Sequence, residues 1–176
     1  MIFLKIKTIF LIIIAIIISI LVKNKSDNVI IPKESIRIRI IANSNDNVDV
    51  NEKIKVKKSV EKELYSLLKN AKSIEDARNI INKNLDRLNL VIDNSTKEKH
   101  TLKFSNNYFP KKIYKGVVYD EGNYESLVIT LGQGNGDNWW CVLFPPLCLL
   151  DENENTKDVE YKFFIKEIID KCLTNK

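Results

Sequence analysis

The seventeen residues from Gly132 to Cys148, GQGNGDNWWCVLFPPLC, restrict the possible folds more than any other stretch of the chain. They hold three of the five glycines, both tryptophans, two of the three cysteines and two of the four prolines, so the backbone is specified here almost residue by residue. Glycines at 132, 134 and 136 permit positive φ and a sharp turn. Trp139–Phe144 is an apolar run of the length of a buried strand, too short for a typical helix. Pro145-Pro146 ends it, because proline supplies no ladder N–H and pushes the preceding residue out of helical space.

In such a strand Trp139 and Trp140 project from opposite faces. One ring belongs to the core. The other is covered by a second layer of the domain, by the loop around Pro145, or by a partner, for which an exposed tryptophan is a good anchor. The glycines lack GxGxxG spacing and open no helix, so a turn accounts for them better than a phosphate cradle. Cys141 and Cys148, with Pro-Pro between them, can close a small disulfide loop worth roughly 2–2.5 kcal/mol in an exported protein. The other reading is a pair of buried free thiols.

Export is suggested by the N-terminus. Thr8–Val22 (TIFLIIIAIIISILV) is uncharged, nearly all apolar and flanked by Lys5, Lys7, Lys23 and Lys25. Residues 1–25 therefore read as a signal peptide or an uncleaved membrane anchor, since no small-x-small cleavage site follows the run. Lysines flank both ends equally, so the positive-inside rule assigns the segment no orientation. Residues 26–34 read as a linker, and 35–176 as a single domain. The formal net charge is +5, but four of the 28 basic residues lie in the first 25 positions, leaving 24 against 23 acidic ones. A nearly neutral domain argues against nucleic acid as a partner.

Within the domain, Ser35–Ala42 reads as a strand with Ile36, Ile38 and Ile40 on one face and Arg37 and Arg39 on the other. The arginines either bind an anionic partner or form the solvated, salt-bridged face of an antiparallel strand. Val56, Val60, Leu64, Leu67 and Leu68 make the apolar stripe of a helix over Val50–Ala71. A second helix opens at Ser73-Ile74-Glu75-Asp76, a capping box with Asp in place of Glu, and carries Ala77, Ile81, Leu85, Leu88 and Ile92. His100–Ser105 reads as a strand. Ile113–Tyr119 and Tyr124–Leu131 read as a hairpin, with Trp139–Phe144 pairing back on it after the glycine turn. Val159–Leu173 closes the domain as a helix with Phe163, Phe164, Ile168 and Cys172 inward. The pattern predicts an α+β fold: a mixed or mainly antiparallel sheet of four to five strands, with an αα-hairpin and a C-terminal helix packed on it.

No catalytic set emerges. Cys141 and His100 offer a single thiol–imidazole pairing with no supporting motif. Three cysteines and one histidine lack zinc-site spacing, and no cofactor is implied. Asp120, Glu121 and Glu125 are the acids nearest the aromatic residues Tyr108–Tyr124. They keep open a cell-envelope binding module or hydrolase, which needs a carboxylate pair about 5–9.5 Å apart.

The segments Arg37-Ile-Arg39-Ile-Ile-Ala-Asn-Ser44-Asn, Gly122-Asn-Tyr124-Glu-Ser-Leu127 and Gly132–Cys148, taken together over about Ser35–Asp151, resemble the stage II sporulation protein R family. That resemblance implies a protein made in the forespore and exported to the space between the two compartments. There it is needed to activate a membrane-embedded aspartic protease, the sigma-E factor processing peptidase. The export segment and the absence of a catalytic set add the expectation that the chain acts by protein–protein contact and not as an enzyme. The family supplies no catalytic residues. Arg37, Arg39, Asn138, Trp139, Trp140, Pro145 and Pro146 are the candidates for partner contact or for specifying the fold.

Overall fold

The computed structural model describes residues 29–114, 117–147 and 165–170, together with Ile14. In chain order these form β1 (Val29–Ile30), β2 (Ile36–Ile41), α1 (Asn47–Leu68), α2 (Ile74–Lys83), α3 (Leu85–Asp93), β3 (His100–Phe109), β4 (Lys112–Tyr114), β5 (Val117–Tyr119), β6 (Gly122–Leu131) and β7 (Asn138–Phe144), with α4 over residues 165–170. The N-terminal apolar run, apart from Ile14, lies outside the described residues, as do Phe163, Phe164, Cys148 and Cys172. Among the described residues no helix is long and apolar enough to cross a membrane.

The fold is α+β with two mixed sheets, one of four strands in the order β3-β6-β2-β7 and one of three in the order β1-β5-β4. At the centre of the larger sheet, β2 runs parallel to β6 and antiparallel to β7. Parallel neighbours need a long crossover, and the three helices followed by β3 supply it. Ile36, Ile38 and Ile40 meet Val56, Val60, Leu64 and Leu68 of α1, Ala77 and Ile81 of α2, Leu88 and Ile92 of α3, and Leu127, Ile129 and Leu131 of β6 in one buried cluster. Each fully buried aliphatic side chain there contributes about 1.5–3 kcal/mol.

A second cluster lies on the opposite side of the sheet. Val142 of β7 joins Ile31, Val117, Leu147 and Ile165 and Ile169 of α4, so α4 packs on the face away from the other helices.

Several pairings differ from those the sequence predicts. β7 does not pair with β6: the Gly132–Asp137 loop passes the end of β2 and delivers β7 to its far edge. The expected strand Ile113–Tyr119 is divided into β4 and β5, which belong to the smaller sheet, and the antiparallel partner of β6 is β3 over ten residue pairs. β1 lies in the stretch expected to be a linker and pairs parallel with β5. The expected second helix breaks at Asn84, whose side-chain amide donates to the Ile80 carbonyl at 2.8 Å, a local bond that competes with the helical ladder. Its start is as predicted: Ser73 Oγ accepts from Asp76 N at 3.1 Å, while the Asp76 carboxylate accepts from Lys72 N.

Candidate functional site

The glycine loop is locked to the turn after β2. Gln133 N donates to Asn43 Oδ1 at 2.9 Å and Asp137 N to Asn45 Oδ1 at 2.7 Å. Asn135 N and Gly136 N donate to the carbonyls of Asn43 and Ala42, Gly132 N to Lys99 and Gly134 N to Leu131. Every N–H from Gly132 to Asp137 is thereby committed within the protein, and none is left to cradle a phosphate. Gly132 (φ 53°) and Gly134 (φ 68°) occupy left-handed backbone. Gly136 is required by space instead, because a Cβ there would overlap the Ser44 carbonyl. The loop thus sets where β7 begins.

From that start the strand register places its side chains. Trp139 faces the helices, packs on the edge of the main core and lies under Lys57 Nζ at 4.9 Å. Trp140 faces the other way, pairs in register with Arg39 and stacks beneath its guanidinium at 4.6 Å. Arg39 Nε donates to Asn138 Oδ1 at 3.0 Å. Phe109, from the end of β3, meets the Trp140 ring edge-on at 4.9 Å and the Tyr124 ring at 6.1 Å. Arg37 sits 3.3 Å above the Tyr124 ring centre and 5.3 Å from that of Phe109. Its Nη2 donates to the Asp120 carbonyl at 3.3 Å, and that carbonyl also accepts from the Tyr124 hydroxyl.

Arg37 corrects the expectation of a solvated, salt-bridged arginine face. It is only 2% exposed, and among the described residues its Nε lacks a hydrogen-bond partner and no carboxylate ion-pairs with it. β2 is a central strand, and the end of its second face is roofed by Phe109 and Tyr124, which is why the side chain is enclosed. Burial pushes its guanidinium below the ordinary value, while the Tyr124, Tyr119 and Asp120 groups pull it back. Arg39, half-buried, is lowered by burial alone.

The face therefore gathers Arg37, Arg39, Asn138 and Trp140, which the sequence singled out, and excludes Trp139. Pro145 is buried and Pro146 half-buried in the turn that follows β7 and leads to Leu147 in the second cluster. Phe109 and Tyr124 were not anticipated at this site. They are brought there by the parallel register, which sets Arg37 opposite Ser126 and so places Tyr124 alongside, and which no local pattern encodes.

Cys141 is disulfide-bonded, and its expected partner Cys148 lies outside the described residues. In a Cys172→Ser variant, thiol titration under denaturing, non-reducing conditions is expected to find no free thiol. Two free thiols would exclude the Cys141–Cys148 pairing.

His100 Nε2 is 3.1 Å from Asn89 Oδ1 on α3. It lies on β3, three strands from Cys141 on β7, or roughly 14 Å across a sheet, so the two form no catalytic pair. Glu125 is on the helix-covered face, ion-paired with Arg78 at 2.8 Å, whereas Glu121 accepts from the Tyr108 hydroxyl at the surface. The carboxylates of Glu121 and Glu125 are thus both engaged by side chains of the protein. Among the described residues no group of three or more His, Cys, Asp or Glu is placed to hold a metal.

These features define an α+β protein whose most elaborated surface is a sheet face of arginines and aromatic rings. The stage II sporulation protein R family model matches residues 32–154, and the chain belongs to that family. It is 40% identical over 159 residues to stage II sporulation protein R of Bacillus subtilis (strain 168), covering 86% of this chain and 70% of that one. The family connects the chain with sporulation. No solved structure matches it.

Proposed function

We propose that this chain is an exported sporulation signal that acts by protein–protein contact to activate the membrane-embedded aspartic protease processing pro-sigma-E. It works from the space between forespore and mother cell, held at the membrane if the N-terminal segment stays uncleaved. The observation that carries this reading is the Arg39–Trp140 pair. A half-buried guanidinium stacked on a half-buried indole is the residue combination that dominates protein interfaces. Membership of the sporulation family supports the same direction. Activation then requires tighter binding to the active state of the protease, a dimer, than to its inactive form.

The test is a cell that produces this chain, the protease and pro-sigma-E together. Trp140→Ala is expected to lower the yield of processed sigma-E at least tenfold, while Trp139→Ala acts only as far as it weakens folding. Failure of the chain to co-purify with the protease, together with full processing by Trp140→Ala, would count decisively against contact through this face. The envelope-hydrolase alternative gains nothing from Glu121 and Glu125, whose carboxylates are engaged by Tyr108 and Arg78.

A further inference from the structure

The register of the four-stranded sheet assembles a row that no single segment announces. Lys103 on β3 pairs with Val128 on β6, Val128 pairs with Arg39 on β2, and Arg39 pairs with Trp140 on β7. All four side chains lie on the face away from α1, α2 and α3. Lys103 is exposed and the other three are half-buried. The flanking positions on this face are Thr101, Thr130, Ile41 and Asn138 on one side and Ser105, Ser126 and Arg37 on the other. None of these eleven residues is acidic.

We propose that this row is the docking surface for an acid-bearing polypeptide segment carrying two carboxylates about 10 Å apart with an apolar side chain between them. The spacing is that of β3 and β2, which lie two strands apart. One carboxylate meets Lys103. The other meets the terminal nitrogens of Arg39, which make no hydrogen bond among the described residues because only Nε is engaged, by Asn138. A guanidinium held at Nε and stacked on a ring is oriented in advance for a two-point bond to a carboxylate. The apolar side chain covers Val128 and the exposed part of Trp140. Charge complementarity selects the occupant: two cations, of which Arg39 is half-buried, stand among strand positions that carry no acid, and a carboxylate is the counter-charge such a row takes. Two isolated cations around an apolar strip are too few for a membrane surface or nucleic acid, which recruit clusters of basic residues.

This deepens the protein-contact reading and rests on it. The full-length chain is placed in cells with the protease and pro-sigma-E, carrying a benzophenone amino acid at Thr101 or Ser105, which flank Lys103, or at Lys58 on the exposed side of α1. Adducts with the protease from 101 and 105, mapping to a segment that contains Asp or Glu, are expected, with none from 58. Arg39→Glu and Lys103→Glu are each expected to reduce processing at least tenfold. Reversing the mapped acids to lysine should restore Arg39→Glu. Lys103 is exposed, so its variant isolates binding from folding. Protease adducts from 58 alone would overturn the proposed surface and leave the contact reading standing. Continued processing without protease adducts from any position would overturn both, and adducts with lipid alone would replace the peptide by an anionic membrane.

Discussion

Gly132→Ala is expected to destabilise the domain by about 2–5 kcal/mol, the sum of a left-handed backbone forced on a residue with a Cβ and of overpacking. The added methyl would overlap the side chain of Asn43, whose Oδ1 accepts from Gln133 N and whose Nδ2 donates to Asp49 at 2.8 Å on α1. The damage therefore spreads from the loop to the first turn of the helix. The two contributions are separable. In an Asn43→Gly background the overlapping Oδ1, Cγ and Cβ atoms are all gone, and the same glycine substitution should cost only the conformational part, about 1–2 kcal/mol. Urea unfolding followed by tryptophan fluorescence on the four proteins of this cycle measures the coupling. Equal costs in both backgrounds would mean that Asn43 does not constrain the loop.

Arg37 carries the second large effect, and its sign depends on the replacement. Arg37→Glu puts an unpaired anion against the electron-rich faces of Tyr124 and Phe109, a change expected to cost about 3–5 kcal/mol. That is a large share of a total near 5–15 kcal/mol. Arg37→Met fills a similar volume and needs no partner for Nε, so stability is expected to be unchanged or to rise by about 1–4 kcal/mol. Thermal unfolding of both variants beside the parent is the measurement. If Arg37→Met instead unfolds the protein, the bond to the Asp120 carbonyl and the ring contacts outweigh the desolvated charge. If it folds but no longer signals, the guanidinium is kept for contact or for positioning the neighbouring rings.

The alternation Ile36-Arg37-Ile38-Arg39-Ile40 and the apolar stripes from Val56 to Ile92 were legible without coordinates. They depend only on the periods of strand and helix, which are local properties of the backbone. The Ser73 cap was legible for the same reason. Strand partners were not. Short connections favour sequential pairing, so β7 was expected on β6, yet β2 lies between them. Nothing within β6 or β7 records that. It is decided by the bonds of Asn43 and Asn45 across about 90 positions of chain and by the need of Ile36, Ile38 and Ile40 for cover on a central strand. Arg37 was misplaced as solvated for the same cause: alternation assigns a side chain to a face without saying what roofs it.

The sequence by itself determined that Gly132–Asp137 turns the chain, that Trp139 and Trp140 oppose each other, and that no catalytic motif accompanies them. Only the tertiary structure decided that Trp139 is the ring on the core side and Trp140 the one on the arginine face. It also decided that Lys103, Val128, Arg39 and Trp140, drawn from four strands, form one row. Side-chain direction along a strand is fixed by the covalent chain, whereas neighbours across a sheet are fixed by register, and register is a long-range balance of burial and hydrogen bonding.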